Sequence, residues 1–243
     1  MTPIPPPAPE PVPPEARARL SSVLQHARRL GFLGPGSIEA QIQRSLDLLP
    51  VVTASAAPLA HSSIPSSASG RVRALDLGSG GGLPGLVLSS ALPEWEWTLL
   101  DGSTKRAEAL NLATASLGLS PRVAVVCQRA EEAARGPLRA AYDLVVARGF
   151  AAAAPTSECA APFLRVGGAL IVTEPPGGAP ERWPANRLME LGLVPSQSIT
   201  SPVSAQVLRQ TCLCPSHYPR RTGIPVKRPL WDATSALGEH SGR

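Results

Sequence analysis

The chain has 243 residues, 43% of them apolar, and a net charge of +5. That length and composition suit one α/β domain with appendages and a full core. Its apolar runs are short and broken by Gly, Pro or charge, below the ~20 residues a membrane span needs. No basic stretch followed by an apolar core opens the chain, so secretion is not expected and the cytoplasm is the default location. Cys127, Cys159, Cys212 and Cys214 read as reduced thiols. Cys212-Leu-Cys214 lacks the C-x-x-C spacing and has no second pair, so no metal site is expected.

Residues 1–14 are Pro-rich. Pro removes amide donors and fixes an extended backbone, so a disordered tail without a role in the fold is expected. The spacing of Leu20, Val23 and Leu24 predicts a helix over 15–30, stopped by Gly31 and Gly34. A second helix is expected over 37–52, with Ser37 as N-cap and Ile38, Ile42, Leu46 and Leu49 on one face. Together these make a helical region over 15–52. Residues 53–70 read as a small-residue linker, in which His61 is a surface residue.

From 71 to 214 strands and helices alternate. Strands are expected at 72–77, 95–100, 122–127, 142–147 and 168–173. Helices are expected at 84–90, with Pro84 in the first turn, at 103–117, with Ser103 as a cap and Gly118 as the stop, and at 151–164. This alternation predicts a doubly wound, mostly parallel sheet with helices on both faces. Two strand-like stretches, 197–200 and 205–212, would close it as an antiparallel hairpin at one edge. The last segment, 215–243, is a basic tail. From Arg209 to the C-terminus six basic residues, among them Arg220, Arg221, Lys227 and Arg228, face only Asp232 and Glu239. Such a cluster can neutralise phosphates; a solvated tail is the plainer alternative.

The chemistry concentrates after the first strand, in Asp76-Leu-Gly-Ser-Gly-Gly-Gly82. In an open parallel sheet ligands bind outside the carboxyl ends of the strands. Gly78, Gly80 and Gly82 let the backbone turn sharply and approach a ligand. Gly80-x-Gly82-x-x-Gly85 also fits the dinucleotide fingerprint, a weak match taken alone. Asp76 favours S-adenosylmethionine, because a carboxylate suits the ammonium of its methionine part and would repel a pyrophosphate. Asp101 stands where ribose hydroxyls need an acceptor, which suits NAD equally. Arg129-Ala-Glu-Glu132 puts an acid where an adenine amino group needs a partner. The reading is a Rossmann-like class I methyltransferase fold.

Five stretches resemble one family. They are Asp76 to Gly85 (DLGSGGGLPG), Leu99 to Arg106 (LLDGSTKR), Arg129 to Glu132 (RAEE), Ala147 to Ala151 (ARGFA) and Tyr218 to Leu230 (YPRRTGIPVKRPL). The chain is similar to the glucose-inhibited division protein B family, the small-subunit ribosomal RNA guanine-N7 methyltransferases. The resemblance implies transfer of a methyl group from S-adenosylmethionine to N7 of a guanine in 16S ribosomal RNA. It implies cofactor contacts from Gly78, Leu83, Ala130, Glu131 and Arg148, and roles near cofactor or RNA for Lys105 and Arg106. Its expected partner is the ribosomal RNA of the small subunit.

The chain departs from the family's pattern where Gln41 and Arg44 replace the His and Asp of an H-x-x-D-S element. Glu174 stands where Lys is usual, and Gly149 where Ala is. A methyltransferase-fold protein with another substrate, or without turnover, is the alternative these changes leave open. N7 carries a lone pair and no proton, so no catalytic acid or base is expected; the work is in positioning the methyl group. The fourth strand is followed by Arg148-Gly-Phe150 rather than by the D-P-P-Y of amino-group methyltransferases. Phe150 is a candidate to stack on a flipped base or to pack in the core. Cys214 precedes Pro215, the wrong order for a Pro-Cys nucleophile.

Overall fold

The computed structural model describes residues 11–56 and 70–232. The expectations for residues 1–10, for His61 and most of the linker, and for 233–243 lie outside the described residues. Three helices come first: α1 (Pro14–Arg29), α2 (Ile38–Leu46) and α3 (Leu49–Ala56). The single helix expected over 37–52 is two, because Pro50 has no amide hydrogen and its ring crowds the carbonyl four residues back. Ser37 caps α2, accepting from the Ala40 amide at 3.4 Å. α3 runs through Ala56, so the start of the expected linker is helical. Val12 is fully buried in the core. The end of the Pro-rich segment therefore contributes to the fold, against expectation: its prolines leave the Val side chain free to pack.

The sheet follows. β1 (Arg73–Leu77), β2 (Glu96–Asp101), β3 (Val123–Cys127), β4 (Tyr142–Ala147) and β5 (Leu164–Thr173) are parallel. β6 (Leu193–Ile199) and β7 (Ala205–Gln210) form an antiparallel hairpin, with β7 against β5. The order is β3-β2-β1-β4-β5-β7-β6. The chain winds outward from β1 in both directions, so the crevice between β1 and β4 is the topological switch point where such sheets bind ligands.

The period-2 alternation of the strands splits the core in two. Ala74, Leu99, Leu144, Val146 and Ile171 face α1, α2, α3, α4 (Gly85–Ala91) and α5 (Thr104–Ser116). Leu75, Leu77, Val145 and Leu170 face α6 (Ala130–Ala133), α7 (Ala153–Ala160) and α8 (Ala185–Met189). α5 stops at Gly118, whose φ is +69°, and the Leu119 amide reaches back to Thr114 O at 2.8 Å. That is the Schellman closure a glycine permits. Ser103 occupies the N-cap of α5, but its side chain makes no capping bond; its amide instead donates to Asp101. Among the described residues no helix is long and apolar enough to cross a membrane.

The C-terminal segment is the largest departure from expectation. Residues 215–232 fold back onto the second core, where Tyr218 and Trp231 are buried. The Arg139 guanidinium donates to the carbonyls of Tyr218 and Cys214, each at 2.8 Å, and of Pro215 at 2.9 Å. Arg135 holds Pro219 O, and Trp231 Nε1 donates to Arg182 O at 3.0 Å. The segment includes the short α9 (Ile224–Lys227).

Candidate active site at the carboxyl edge of the sheet

The turn after β1 is tied to its neighbour by backbone: the amides of Gly78 and Ser79 both donate to Leu100 O, at 2.9 and 3.0 Å. Two carboxylates then fix its path. Asp101, at the end of β2, accepts from the Gly80 amide and the Ser103 amide, each at 2.9 Å. It also lies 3.7 Å from Arg106 Nη1. Asp76, within β1, accepts from the Gly85 amide at 3.0 Å through Oδ2. Gly85 opens α4, so this carboxylate caps a helix N-terminus. Its Oδ1 is buried without a hydrogen-bond partner. Burial pushes the Asp76 carboxyl up to about 7, against the lowering effects of the Gly85 bond, Ser79 and Arg148.

Two adjoining cavities flank this turn. The first, about 210 Å³, is walled by Gly78, Asp101, Ala130, Glu131, Phe150 and Cys159, among others, with Val226 of α9 at its rim. The second, about 240 Å³, is walled by Phe32, Leu33, Gln41, Leu83, Arg148 and the backbone of Gly78 to Gly81. Gly78, Arg106 and Gly149 line both and form the divide. A side chain at Gly78 would close the passage, since a Cβ there falls 2.5 Å from Phe150 Cδ2. Phe150 is packed against that glycine and the second core.

Most residues singled out from sequence line these cavities: Gly78, Gly80, Leu83, Asp101, Arg106, Ala130, Glu131 and Arg148. Gly82 and Lys105 do not. Gly82 has φ +101°, and a Cβ there would strike Leu86, so it shapes the turn from behind. Lys105 points to solvent on α5. Arg220, expected on the RNA side, is engaged by the protein itself. Its Nε and Nη2 reach Glu158 Oε1 and Oε2 at 2.9 and 2.6 Å, and its amide adds a third bond at 2.8 Å. Glu158 is fully buried, so Arg220 anchors the C-terminal segment, with part of its side chain still open to solvent. Arg221, Lys227 and Arg228 remain exposed.

The sequence reading missed the inner side of this segment. The Gly223 amide donates to Glu131 Oε1 at 2.8 Å, and Thr222 Oγ1 to Glu132 at 3.1 Å. The segment is thereby a wall of the first cavity. It also missed Phe32 and Ser45. Arg106 sits over the Phe32 ring at 6.0 Å. Ser45 Oγ donates to Gln41 O at 2.9 Å and accepts from Arg148 at 3.4 Å. Cys214 is buried and its thiol is pushed up to about 12. Burial raises the Cys159 thiol as well, so neither sulfur is a ready nucleophile.

A parallel sheet with this strand order, an antiparallel edge and a carboxylate-held glycine turn defines a class I methyltransferase. Solved structures agree on the fold. An O-methyltransferase from Bacillus cereus in complex with SAH superposes with a TM-score of 0.53 over 80% of this chain and 91% of that one, at 15% identity. A mutant of MtNAS in complex with S-adenosylmethionine gives 0.52, over 79% and 73%, at 14% identity. In sequence, the family model described as rRNA small subunit methyltransferase G matches residues 60–175. The ribosomal RNA small subunit methyltransferase G of Thermotoga neapolitana is 37% identical over 180 residues, 71% of this chain and 75% of that protein. Its namesake from Prochlorococcus marinus is 36% identical over 167 residues, 65% and 68% of the two chains. The chain belongs to the ribosomal RNA small subunit methyltransferase G family.

Proposed function

We propose that this protein methylates N7 of a guanine in 16S ribosomal RNA with S-adenosylmethionine as donor. The residues present fit that donor. Adenosine offers hydrogen-bond donors, the ribose hydroxyls and the adenine amine, and the first cavity offers acceptors, Asp101 and Glu131. Each carboxylate keeps lone pairs beyond the amides it already receives. Asp76 Oδ1 is the spare acceptor for the α-ammonium of the methionine part. Gly78 and Gly80 present bare backbone, and Leu83, Ala130 and Arg148 complete the walls. When bound, the cofactor supplies an electrophilic methyl group on a sulfonium.

The observation that carries the choice of acceptor is the lining of the second cavity. Its side chains are Phe32, Leu33, Gln41, Ser79, Leu83, Arg106 and Arg148. None of them carries a carboxylate, an imidazole or an amine that could serve as a base. An amine or hydroxyl acceptor has a proton to lose and calls for a base; N7 has none, and its lone pair attacks directly. The protein's contribution is then to hold donor and acceptor in line and keep water out. Arg148, leaning on Ser45, places a cation beside the incoming base, where it favours an electron-rich ring edge.

The test is transfer of labelled methyl from S-adenosylmethionine to small ribosomal subunits and to their naked RNA, with the modified base mapped by borohydride and aniline cleavage, which reads N7-methylguanine. Label at a single guanine N7 is expected. Label on an exocyclic amine or a ribose, or no label in either substrate, overturns the reading.

A further inference from the structure

A third cavity, about 460 Å³, opens beyond Arg148 at the carboxyl ends of β4 and β5. Arg44 of α2 and Leu48 between α2 and α3 wall it on one side, Thr173 at the end of β5 and Glu174 just past it on another, and Thr200 and Ser204 from the loop between β6 and β7. Arg148 lines both this cavity and the second one, so the two are neighbours across one guanidinium.

The charges here do not balance locally. Glu174 is the only carboxylate on the wall, its side chain is 3% exposed, and Oε2 is held by Arg182 at 2.7 Å. Its Oε1 is buried without a hydrogen-bond partner among the described residues, and burial pushes this carboxyl up, toward its neutral form. Asp76, the nearest counter-charge to Arg148 in electrostatic effect, is half protonated near neutrality. Arg44 has no ion pair or side-chain hydrogen bond among the described residues. Arg148 has the Ser45 hydroxyl alone, and burial and the field of Arg44 both lower its affinity for its proton. Exposed Arg44 and half-buried Arg148 thus bring two guanidinium groups to one cavity whose carboxylate, Glu174, is already paired with Arg182, which leaves an excess of positive charge there. The hydroxyls of Thr173, Thr200 and Ser204 on the opposite walls add neutral donors of the kind phosphate oxygens accept.

The geometry points to this third cavity as the seat of a backbone phosphate of the acceptor RNA strand, held between Arg44 and Arg148. The inference rests on the RNA methyltransferase reading above and adds a subsite to it. A guanidinium offers paired donors to two phosphate oxygens. A phosphate fixed there sets how far the acceptor nucleotide reaches past Arg148 toward the methyl group. Arg44 thereby contributes to RNA binding while the donor pocket, on the far side of Arg148, is left alone.

Arg44→Ala and Arg44→Lys are compared with the wild-type chain in steady-state methylation of small-subunit RNA over a range of salt. Calorimetry with S-adenosylhomocysteine, guanosine 5′-monophosphate, guanosine and inorganic phosphate runs alongside. For Arg44→Ala we expect KM for RNA to rise about tenfold, the loss of one charge-assisted contact, with kcat and S-adenosylhomocysteine affinity within about twofold. The slope of log KM against log salt should fall by about one. Arg44→Lys should recover the salt slope and part of the affinity. Guanosine 5′-monophosphate should bind wild type more tightly than guanosine does, and lose that advantage in Arg44→Ala. Binding of inorganic phosphate to wild type as tight as that of the nucleotide would show a free-anion site and overturn the assignment to RNA. An unchanged KM and salt slope in Arg44→Ala, with wild type active on RNA, sinks the phosphate seat and leaves the methyltransferase reading standing. If wild type transfers no methyl to RNA yet binds the nucleotide through Arg44, the seat survives and that reading falls.

Discussion

On the β2 and β3 side of the glycine turn, the site presents acceptors: Asp101 and Glu131 line a cavity that Arg106 and Arg129 also wall. On the β4 and β5 side it is built of guanidinium groups: Arg148 and Arg44, with hydroxyls around them. Gly78 and Gly149 are the boundary. On the function proposed above the two ends answer different ligands, since adenosine brings donors to be accepted and an RNA strand brings negative charge to be neutralised. They also differ in construction. In the acceptor-lined half each carboxylate spends part of its capacity holding protein backbone, so the same groups build the pocket and line it. In the cationic half the arginines are barely engaged by protein at all.

The most severe way to break this division is to remove Asp101. It holds the Gly80 and Ser103 amides, each a charge-assisted bond of about 1.5–3 kcal/mol. Asp101→Ala should weaken S-adenosylhomocysteine binding at least about 100-fold by calorimetry, with Asp101→Asn intermediate. A change of only a few fold would mean that the turn does not depend on that carboxylate. Next is Arg220→Ala. It strands Glu158, fully buried, with one backbone amide in place of three donors, at about 3 kcal/mol. For a chain of this size that lowers Tm by about 6–12 °C. Adding Glu158→Gln to Arg220→Ala should restore part of the loss in the same melt. A single Arg220→Ala variant that melts like wild type would return this arginine to the exposed, RNA-facing set.

A pH dependence sharpens the comparison. The Asp76 carboxyl is raised from 3.8 to about 7 by burial. A carboxylate whose folded value lies above its unfolded one contributes stability that is full below about 3.8 and lost as pH rises through about 7. With the cofactor's ammonium at Asp76, as proposed above, the charged form is favoured and that proton is released. Affinity for S-adenosylhomocysteine, which keeps the ammonium, should therefore rise about tenfold from about pH 6 to about pH 8 and release a proton in calorimetry run in buffers of different ionisation enthalpy. Asp76→Asn should flatten both dependences. A steep pH profile surviving that substitution would assign the titration to another group.

The acceptor-lined half was legible in sequence because its parts are local: a carboxylate, a glycine turn or an acid follows directly on a strand whose apolar run marks its end. β4 falls on the expected residues, and the topology follows from the alternation of elements. The cationic half was not legible, because α2, the end of β4 and the loop between β6 and β7 meet only through the tertiary fold. Arg44 stands out in the chain only as a departure from the family's pattern, with nothing to say which residues it meets. The break at Pro50, which makes α2 and α3 out of one expected helix, was visible in the proline itself. Composition misled most at the C-terminus. Counting basic residues there cannot tell a guanidinium bonded to a buried acid from one in water, and Glu158 lies 62 residues away in sequence.

That last distinction gives the mildest prediction. The C-terminal segment has an inner side that braces the nucleoside cavity through Gly223 and Glu131, and an outer side carrying Arg221, Lys227 and Arg228. Because the outer cations are exposed, each is worth no more than a surface ion pair, about 0.2–1 kcal/mol. Alanine at any one of them should weaken binding of small-subunit RNA by about two- to fivefold and lower the salt slope by up to about one, with S-adenosylhomocysteine affinity unchanged. Glu131→Gln acts on the other side: it discharges the carboxylate that accepts the Gly223 amide, and it should weaken S-adenosylhomocysteine while leaving the RNA salt slope alone. If the outer substitutions weaken the cofactor as much as they weaken RNA, the segment transmits strain between its sides. Its two faces would then no longer be separable as the acceptor-lined and cationic halves of the site are.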